Sequence, residues 1–105
     1  LIKNDFDNVF KSIDVIMTPT TRGPAFKIGS KGDDPIQMYL EDLFTISANL
    51  AGLPAMSLPN GNIENKPIGL QIIGNFLDES TILNFAHMFQ NETNWHMYTP
   101  EGIKQ

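Results

Sequence analysis

Three consecutive apolar residues, Val15, Ile16 and Met17, constrain the fold of this chain more than any other stretch. A short apolar run without alternation fits a strand that is buried on both faces, as in a sheet covered by helices. Two further short strands are predicted in "AMSLPNG" and "IGLQIIG", joined by the polar turn region "NIENKP". The chain is therefore expected to contain a sheet that needs helices on both sides.

The apolar spacing of an amphipathic helix is present from the very start of the chain. Helical spacing of i, i+4, i+7 and i+11 is shared by four apolar residues, Ile2, Phe6, Val9 and Ile13. This helix should end near Ser12 or Ile13. Because no methionine or capping residue precedes the pattern, we expect the helix to begin upstream and the chain to be a fragment.

A second helix is predicted in "MYLEDLFTISANLAGLP", residues 38–54, which is dominated by apolar side chains. Pro35 fits its first position, with an N-cap at Asp33 or Asp34. The glycine and proline of "AGLP" end it. Before it, Pro19 ends the first strand, because proline has no N–H to donate to a ladder. The glycines and prolines of "TTRGPAFKIGSKGDDP" then predict a long loop.

The last helix is predicted to follow an N-cap at Asp78 or Ser80. One apolar face is formed by Ile82, Phe85, Ala86 and Phe89. From Gln90 onward the sequence has no periodicity and is expected to be a surface tail. The element order is typical of an α/β fold with a mixed three-stranded sheet flanked by helices. Such a sheet has open edges, so we expect missing neighbours.

The composition excludes several classes of function. Of 105 residues, 41% are hydrophobic and 18% charged, which fits one ordinary soluble domain. The net charge of −5, with Arg22 as the only arginine, argues against direct nucleic-acid binding. No apolar run is long enough to span a membrane. The absence of cysteine fits a reducing compartment, so we expect a cytoplasmic location.

Most catalytic and metal-binding patterns are absent from the sequence. His87 and His96 do not have metal-ligand spacing to each other or to a carboxylate. Ser47 lies in the predicted second helix without a histidine or lysine at helical spacing to activate it. We therefore expect no catalytic residue, metal ligand or bound cofactor in this chain.

One polar stripe interrupts the apolar second helix. Because a helix turns about 100° per residue, Asp42, Thr45 and Asn49 would share one side of it. The stripe either faces water, as most acids do, or forms a pocket wall whose carboxylate binds a cation. The sequence pattern leaves both interpretations open. "TPT" at 18–20 ends a strand, where ligands often approach α/β sheets, but a plain strand end is the favoured interpretation.

Several motifs resemble the carboxyl-terminal part of amidase-signature enzymes. The family motifs are "DVIMTPT" at 14–20, "MYLEDLFTISANLAGLPAMSLPNG" at 38–61 and "PIGLQIIG" at 67–74. A narrower likeness, to the glutaminase (A) subunits of the glutamyl-tRNA(Gln) amidotransferases of GatCAB complexes, is carried by "AFKIG", "DPIQMYLED" and "DEST". The resemblance implies that residues 1–105 are the carboxyl-terminal part of a single amidase domain, with a tail from about residue 90.

The resemblance also implies an activity for the parent protein. The glutaminase (A) subunit of such complexes hydrolyses glutamine, and the ammonia passes to the B subunit, which uses ATP and Mg to convert Glu-tRNA(Gln) to Gln-tRNA(Gln). The B and C subunits of the amidotransferase, glutamine and charged tRNA would then be its partners. The catalytic serine, cis-peptide serine and lysine of the family lie in and ahead of a Gly/Ser-rich stretch that this sequence lacks. The chain alone is therefore expected to be inactive.

One functional position of the resembling glutaminase maps onto this sequence. The aspartate that follows "MYxx" contacts the α-ammonium of the substrate glutamine, and here that residue is Asp42. Arg22 does not match the arginine that holds the substrate carboxylate. The alternatives are another amidase-signature hydrolase with a different amide substrate, and a stand-alone binding or assembly module without chemistry.

Overall fold

The computed structural model describes residues 2–29 and 35–99. Its helices and strands alternate as an α/β fold, which confirms the predicted class. In chain order they are α1 (Ile2–Val9), β1 (Val15–Pro19), α2 (Pro35–Glu41), α3 (Ile46–Ala51), β2 (Ala55–Ile63), β3 (Lys66–Gly74), α4 (Glu79–Glu92) and a 3₁₀ turn (Trp95–Met97). The predicted first strand and the start of a helix at Pro35 are confirmed. The predicted burial of that strand on both faces is not found among the described residues, where β1 is an edge strand with Val15 and Ile16 half-buried and Met17 exposed. The predicted N-cap at Asp33 or Asp34 lies outside the described residues.

The three strands form one sheet in the order β1-β3-β2, and both pairings are antiparallel. The mixed pairing expected from the sequence is therefore not found among these strands. The reason for the β2–β3 pairing is local, because the two strands are joined by only Glu64 and Asn65, with φ of 52° and 64°. Positive φ at both central residues is the geometry of a type I′ hairpin turn. The strands consequently extend further into "NIENKP" than predicted.

Each face of the sheet is covered by different helices. On one face, Ile16 and Ile73 pack with Phe10 of the α1 end and with Ala48 and Ala51 of α3. We call this the α3 face. On the other face, which we call the α4 face, Ile72 and Leu58 pack against Ile82 and Ala86 of α4. Ile72 is completely buried. The prediction of a sheet with helices on both sides is confirmed.

The second predicted helix is not continuous, which corrects the sequence interpretation. It is divided into α2 and α3 by a turn over residues 42–45. Within this turn the Asp42 carbonyl accepts from the N–H groups of Thr45 (3.1 Å) and Ile46 (3.2 Å), and from Thr45 Oγ1 (3.2 Å). Aspartate and threonine compete in this way with regular helical bonding. Gly52, with φ of 68°, ends α3 as predicted.

The last helix and the predicted tail also differ in part from expectation. Asp78 is the N-cap of α4, as predicted, although its Oδ1 accepts from Thr81 Oγ1 (2.8 Å) rather than from a backbone N–H. The helix continues to Glu92, and Trp95 stacks on Tyr98 with ring centroids 5.5 Å apart in the 3₁₀ turn. The Trp95 ring lies close to Gly61 of β2. Residues 91–99 therefore contain the end of α4 and a 3₁₀ turn that contacts β2, rather than a segment without regular structure.

Open edges and exposed apolar side chains predict that this chain, expressed alone, associates with itself. In residues 2–29 and 35–99, β1 and β2 each pair with β3 only, and Met17 of β1 is 55% exposed. Unpaired strand edges and uncovered apolar surface favour intermolecular pairing. Light scattering should give a mass above 11.7 kDa, with binding of a hydrophobic dye. A compact, dye-silent monomer at high concentration would contradict this.

None of the helices in the described residues is long and apolar enough to cross a membrane.

Candidate functional site

The α3 face of the sheet changes from apolar to polar along the strands. Side chains of directly paired residues project from the same face of an antiparallel sheet. The first row across the sheet is apolar and consists of Ile16, Ile73 and Ala55. The next row on the same face consists of Thr18, Gln71 and Ser57. A polar row therefore follows the apolar row on this face of the sheet.

Gln71 is the buried centre of this polar row, with 3% of its surface exposed. Its Nε2 donates to Thr18 Oγ1 (2.8 Å) and to the Phe44 carbonyl (2.7 Å). The Thr18 hydroxyl in turn donates to the Pro19 carbonyl (2.9 Å). A buried amide is tolerated when its donors are paired, as they are here. Gln71 thus ties the central strand both to β1 and to the turn between α2 and α3.

Two hydroxyl groups form a second link on the α3 face. Thr20 Oγ1 lies 2.7 Å from Ser57 Oγ, so the end of β1 is bridged to β2 across Gly69 of the central strand. A Cβ atom on Gly69 would lie only 2.7 Å from Thr20 Oγ1 and 2.9 Å from Ser57 Oγ. Glycine is therefore needed at this position because the two hydroxyl groups occupy the space above it.

Asp42 lies in the turn that Gln71 holds. Its side chain is exposed, and within residues 2–29 and 35–99 its carboxylate makes no hydrogen bond or ion pair. Glu41 beside it is different, because its Oε1 lies 3.6 Å from Arg22 Nε and its side chain is only 14% exposed. Arg22 Nη2 also donates to Gln37 Oε1 (2.5 Å). Of the two neighbouring acids, Asp42 is the one whose carboxylate is not engaged by these side chains.

The polar stripe predicted on a continuous helix is altered by the helix break. Thr45 uses its hydroxyl within the turn, where it donates to the Asp42 carbonyl. Asn49 is exposed on α3. Asp42 itself faces outward from the described part of the chain, and its binding of a substrate ammonium stays a prediction.

The remaining sequence candidates lie away from this turn or have structural roles. Thr18 and Thr20 hold the α3 face together through the bonds described above. His87 is exposed on α4, which covers the opposite face, and His96 lies in the 3₁₀ turn. Among the described residues, no three histidine, aspartate or glutamate side chains are grouped as a metal site.

The sequence interpretation missed Gln71 and Ser57. Gln71 did carry a signal, because it is the only polar side chain in "IGLQIIG". An amide in an otherwise apolar strand needs hydrogen-bond partners when it is buried. Its partner in the turn could not be read from the sequence, since Phe44 contributes only its carbonyl.

The chain is similar to proteins of known family. The family model described as Amidase matches residues 1–83. The A subunit of the glutamyl-tRNA(Gln) amidotransferase of Saccharophagus degradans is 57% identical over 104 residues, which cover 99% of this chain and 22% of that protein. The same protein of Cellvibrio japonicus is 55% identical over 104 residues, again 99% of this chain and 22% of that protein. The chain thus spans about a fifth of the length of these curated relatives.

Two solved structures share the fold. The A subunit of the glutamyl-tRNA(Gln) amidotransferase from Thermotoga maritima superposes with a TM-score of 0.88 at 37% identity, covering 98% of this chain and 23% of that one. A 6-aminohexanoate cyclic dimer hydrolase superposes with a TM-score of 0.84 at 25% identity, covering 94% and 23%. Because the family model matches 83 of the 105 residues and this arrangement of sheet and helices recurs in these structures, the chain belongs to the amidase family.

Proposed function

We propose that this chain is part of the glutamine-hydrolysing A subunit of a tRNA-dependent amidotransferase. The observation that carries the proposal is the 57% identity to such a protein over 99% of the chain. On this proposal the parent protein releases ammonia from glutamine, and the B subunit uses it with ATP and Mg to convert Glu-tRNA(Gln) to Gln-tRNA(Gln). The B and C subunits are the expected partners in a cytoplasmic three-subunit complex.

Within the parent protein, the proposed contribution of this chain is one wall of the glutamine pocket. The wall is the α2–α3 turn, and its charged group is the Asp42 carboxylate. Two features support this assignment. Asp42 has no partner among the described side chains, so it is available to an incoming cation, whereas the adjacent Glu41 is paired with Arg22. A carboxylate and an ammonium in a partly desolvated pocket form a charge-assisted hydrogen bond.

The catalytic chemistry itself is proposed to come from other parts of the parent protein. The serine, cis-peptide serine and lysine of amidase-signature enzymes have no counterpart in these 105 residues. The chain by itself is therefore proposed to be without glutaminase activity. The gene sequence that encodes residues ahead of Leu1 should contain the Gly/Ser-rich stretch and its lysine.

The experiment that tests the function uses the full-length glutaminase together with its B and C partner subunits. Glutamine consumption and Gln-tRNA(Gln) formation are measured in the presence of ATP, Mg and Glu-tRNA(Gln), with benzamide as the competing amide. We expect glutamine to be hydrolysed and benzamide to be left nearly intact. Turnover of benzamide without turnover of glutamine would overturn the proposal.

The second candidate is a hydrolase of a different amide. It is favoured by one observation, the superposition of this fold on the 6-aminohexanoate cyclic dimer hydrolase at a TM-score of 0.84. An enzyme for uncharged amides would not need the Asp42 carboxylate. The benzamide arm of the experiment therefore discriminates the two functions directly.

A further inference from the structure

We propose that Gln71 is a positioning residue for the substrate glutamine, because it holds the α2–α3 turn that carries Asp42 at a fixed distance from the sheet. The inference rests on the proposed function and names a second residue on which that function depends. Gln71 itself makes no contact with the substrate on this proposal. It acts through the turn.

Among residues 2–29 and 35–99, the α2–α3 turn has few hydrogen bonds to other parts of the chain. Its backbone bonds, including Asp42 N–H to the Tyr39 carbonyl (3.1 Å), join it to itself and to the neighbouring turns of α2 and α3. These bonds fix the local shape of the turn but not its place on the sheet. A helix break without a tertiary attachment would leave Asp42 free to move as α2 and α3 shift.

Gln71 provides a short, buried attachment for the turn. Only 3% of the residue surface is exposed to solvent. The 2.7 Å bond from Nε2 to the Phe44 carbonyl reaches the turn two residues after Asp42. Loss of this buried hydrogen bond lowers the stability of the turn's attachment, because the Phe44 carbonyl is then left without that partner.

The Gln71 end of this attachment is held in place by the sheet. Gln71 lies in the central strand and is paired in register with Thr18 on one side and with Ser57 on the other. Its second Nε2 hydrogen is donated to Thr18 Oγ1 (2.8 Å), so both donors of the amide are directed. Sites held by packed elements are more precise than sites on loops alone. The Gln71 amide therefore fixes the position of the α2–α3 turn, and of Asp42 in it, relative to the sheet.

Arg22 holds the other side of the same turn. Its guanidinium approaches Glu41, the residue before Asp42, and donates to Gln37 of α2. The Arg22 side chain is 36% exposed, and a partly exposed ion pair stabilises weakly. The buried amide of Gln71 is consequently the stronger of the two attachments.

The test replaces the amide by an apolar side chain of similar length. Gln71→Met in the full-length glutaminase, assembled with its partner subunits, removes both donors and nearly keeps the volume. We expect KM for glutamine to rise by about tenfold or more, the effect of unpairing one buried group, with a smaller change in kcat. Amidation driven by free ammonia should remain at the wild-type rate. Gln90→Met on α4, which covers the opposite face, is the matched control and should leave both reactions unchanged.

A double variant separates positioning from simple loss of stability. If Gln71 acts through Asp42, then Gln71→Met combined with Asp42→Asn should use glutamine no worse than Asp42→Asn alone. Residues with independent effects would instead give additive losses. If Gln71→Met does not fold, as judged by its melting temperature and ammonia-driven rate, Gln71→Asn replaces it in the cycle, since the shorter amide cannot reach the Phe44 carbonyl.

The outcomes distinguish this inference from the proposed function. An unchanged KM in the Gln71 variant, or additive losses in the double variant, would overturn the positioning role while Asp42→Asn alone remained impaired. If wild type did not use glutamine, or if Asp42→Asn used it normally, the proposed function would fail and the inference with it. An equal loss in the glutamine-driven and ammonia-driven reactions would show that Gln71 only stabilises the fold.

Discussion

Asp42→Asn in the proposed full-length glutaminase should lower kcat/KM for glutamine by between about thirtyfold and a few thousandfold. The substitution removes the charge and nearly keeps the shape. Loss of one partner of a desolvated charge pair costs about 2–5 kcal/mol, and each ~1.4 kcal/mol is a factor of ten. The measurement is the rate of glutamate release at varied glutamine concentration, in wild type and variant complexes.

Folding should be affected much less than glutamine use. The Asp42 carboxylate is exposed and is not engaged by any described side chain, so its neutralisation breaks no internal ion pair. Free ammonia does not need the glutamine pocket and should support amidation of the charged tRNA at the wild-type rate. Glu41→Gln is the matched control, because it removes the neighbouring negative charge, which Arg22 already pairs. Its effect should be below tenfold, since partly exposed ion pairs contribute about 0–1 kcal/mol.

Three results would contradict this prediction in different ways. An equal fall of the glutamine-driven and ammonia-driven rates would make Asp42 a structural residue. An unchanged glutamine rate would mean that it merely faces solvent, which is the simpler interpretation of its sequence position. A loss in Glu41→Gln as large as in Asp42→Asn would indicate that general negative charge, rather than one positioned carboxylate, attracts the substrate.

The strands of this fold were predictable because their signals are local. The run of Val15, Ile16 and Met17 has no alternation, and Pro19 ends it in the sequence as it does in β1. The end of α3 is equally local, since Gly52 adopts the left-handed conformation that glycine favours. Local chemistry at these positions agrees with the tertiary structure.

The helix break at residues 42–45 was not predictable from periodicity. The apolar spacing continues through the turn, so the pattern favoured one long helix. What decides against it is partly local, in the bonds of Thr45 to the Asp42 carbonyl, and partly tertiary, in the bond from Gln71 to the Phe44 carbonyl. A backbone carbonyl carries no sequence signal, so the second contribution is visible only in the structure.

The candidate site was predictable from the sequence only in part. Asp42 was selected by resemblance to a family motif, whereas its sequence pattern left both solvent and a pocket wall open as its surroundings. The turn between the last two strands was predicted, but its length of only two residues was not, because Glu64 and Asn65 differ from the Asn-Gly and Asp-Gly pairs that usually adopt a type I′ turn. The register shift between Pro59 and Asn62 moves the pairing by one residue relative to the hairpin turn, and this aligns Ser57 with Gln71 and completes the polar row.

The second large effect is expected at Gly74, where α4 lies close to the sheet. A Cβ atom at this buried position would lie 2.6 Å from Ile82 Cγ2 and 3.4 Å from the Asp78 carbonyl oxygen. Isoleucine in a helix has one strongly preferred χ1 rotamer, so its Cγ2 cannot simply rotate away. Either α4 shifts from the sheet or the side chain is strained. Gly74→Ala should therefore lower the stability of the full-length protein by about 1–3 kcal/mol, and Gly74→Val by more.

Thermal denaturation of the full-length variants tests this close approach, with Gly23→Ala as the matched control. No atom of residues 2–29 and 35–99 lies within 4 Å of a Cβ at Gly23, so that variant should melt like wild type, within about 0.5 kcal/mol. Ile82→Ala removes the methyl group with which the new Cβ collides, although it also loses core packing. If the collision is the cause, combining Gly74→Ala with Ile82→Ala should cost clearly less than the sum of the two single losses. Additive losses, or an unchanged melting temperature for Gly74→Ala, would mean that α4 adjusts freely and that the glycine is not required by its packing.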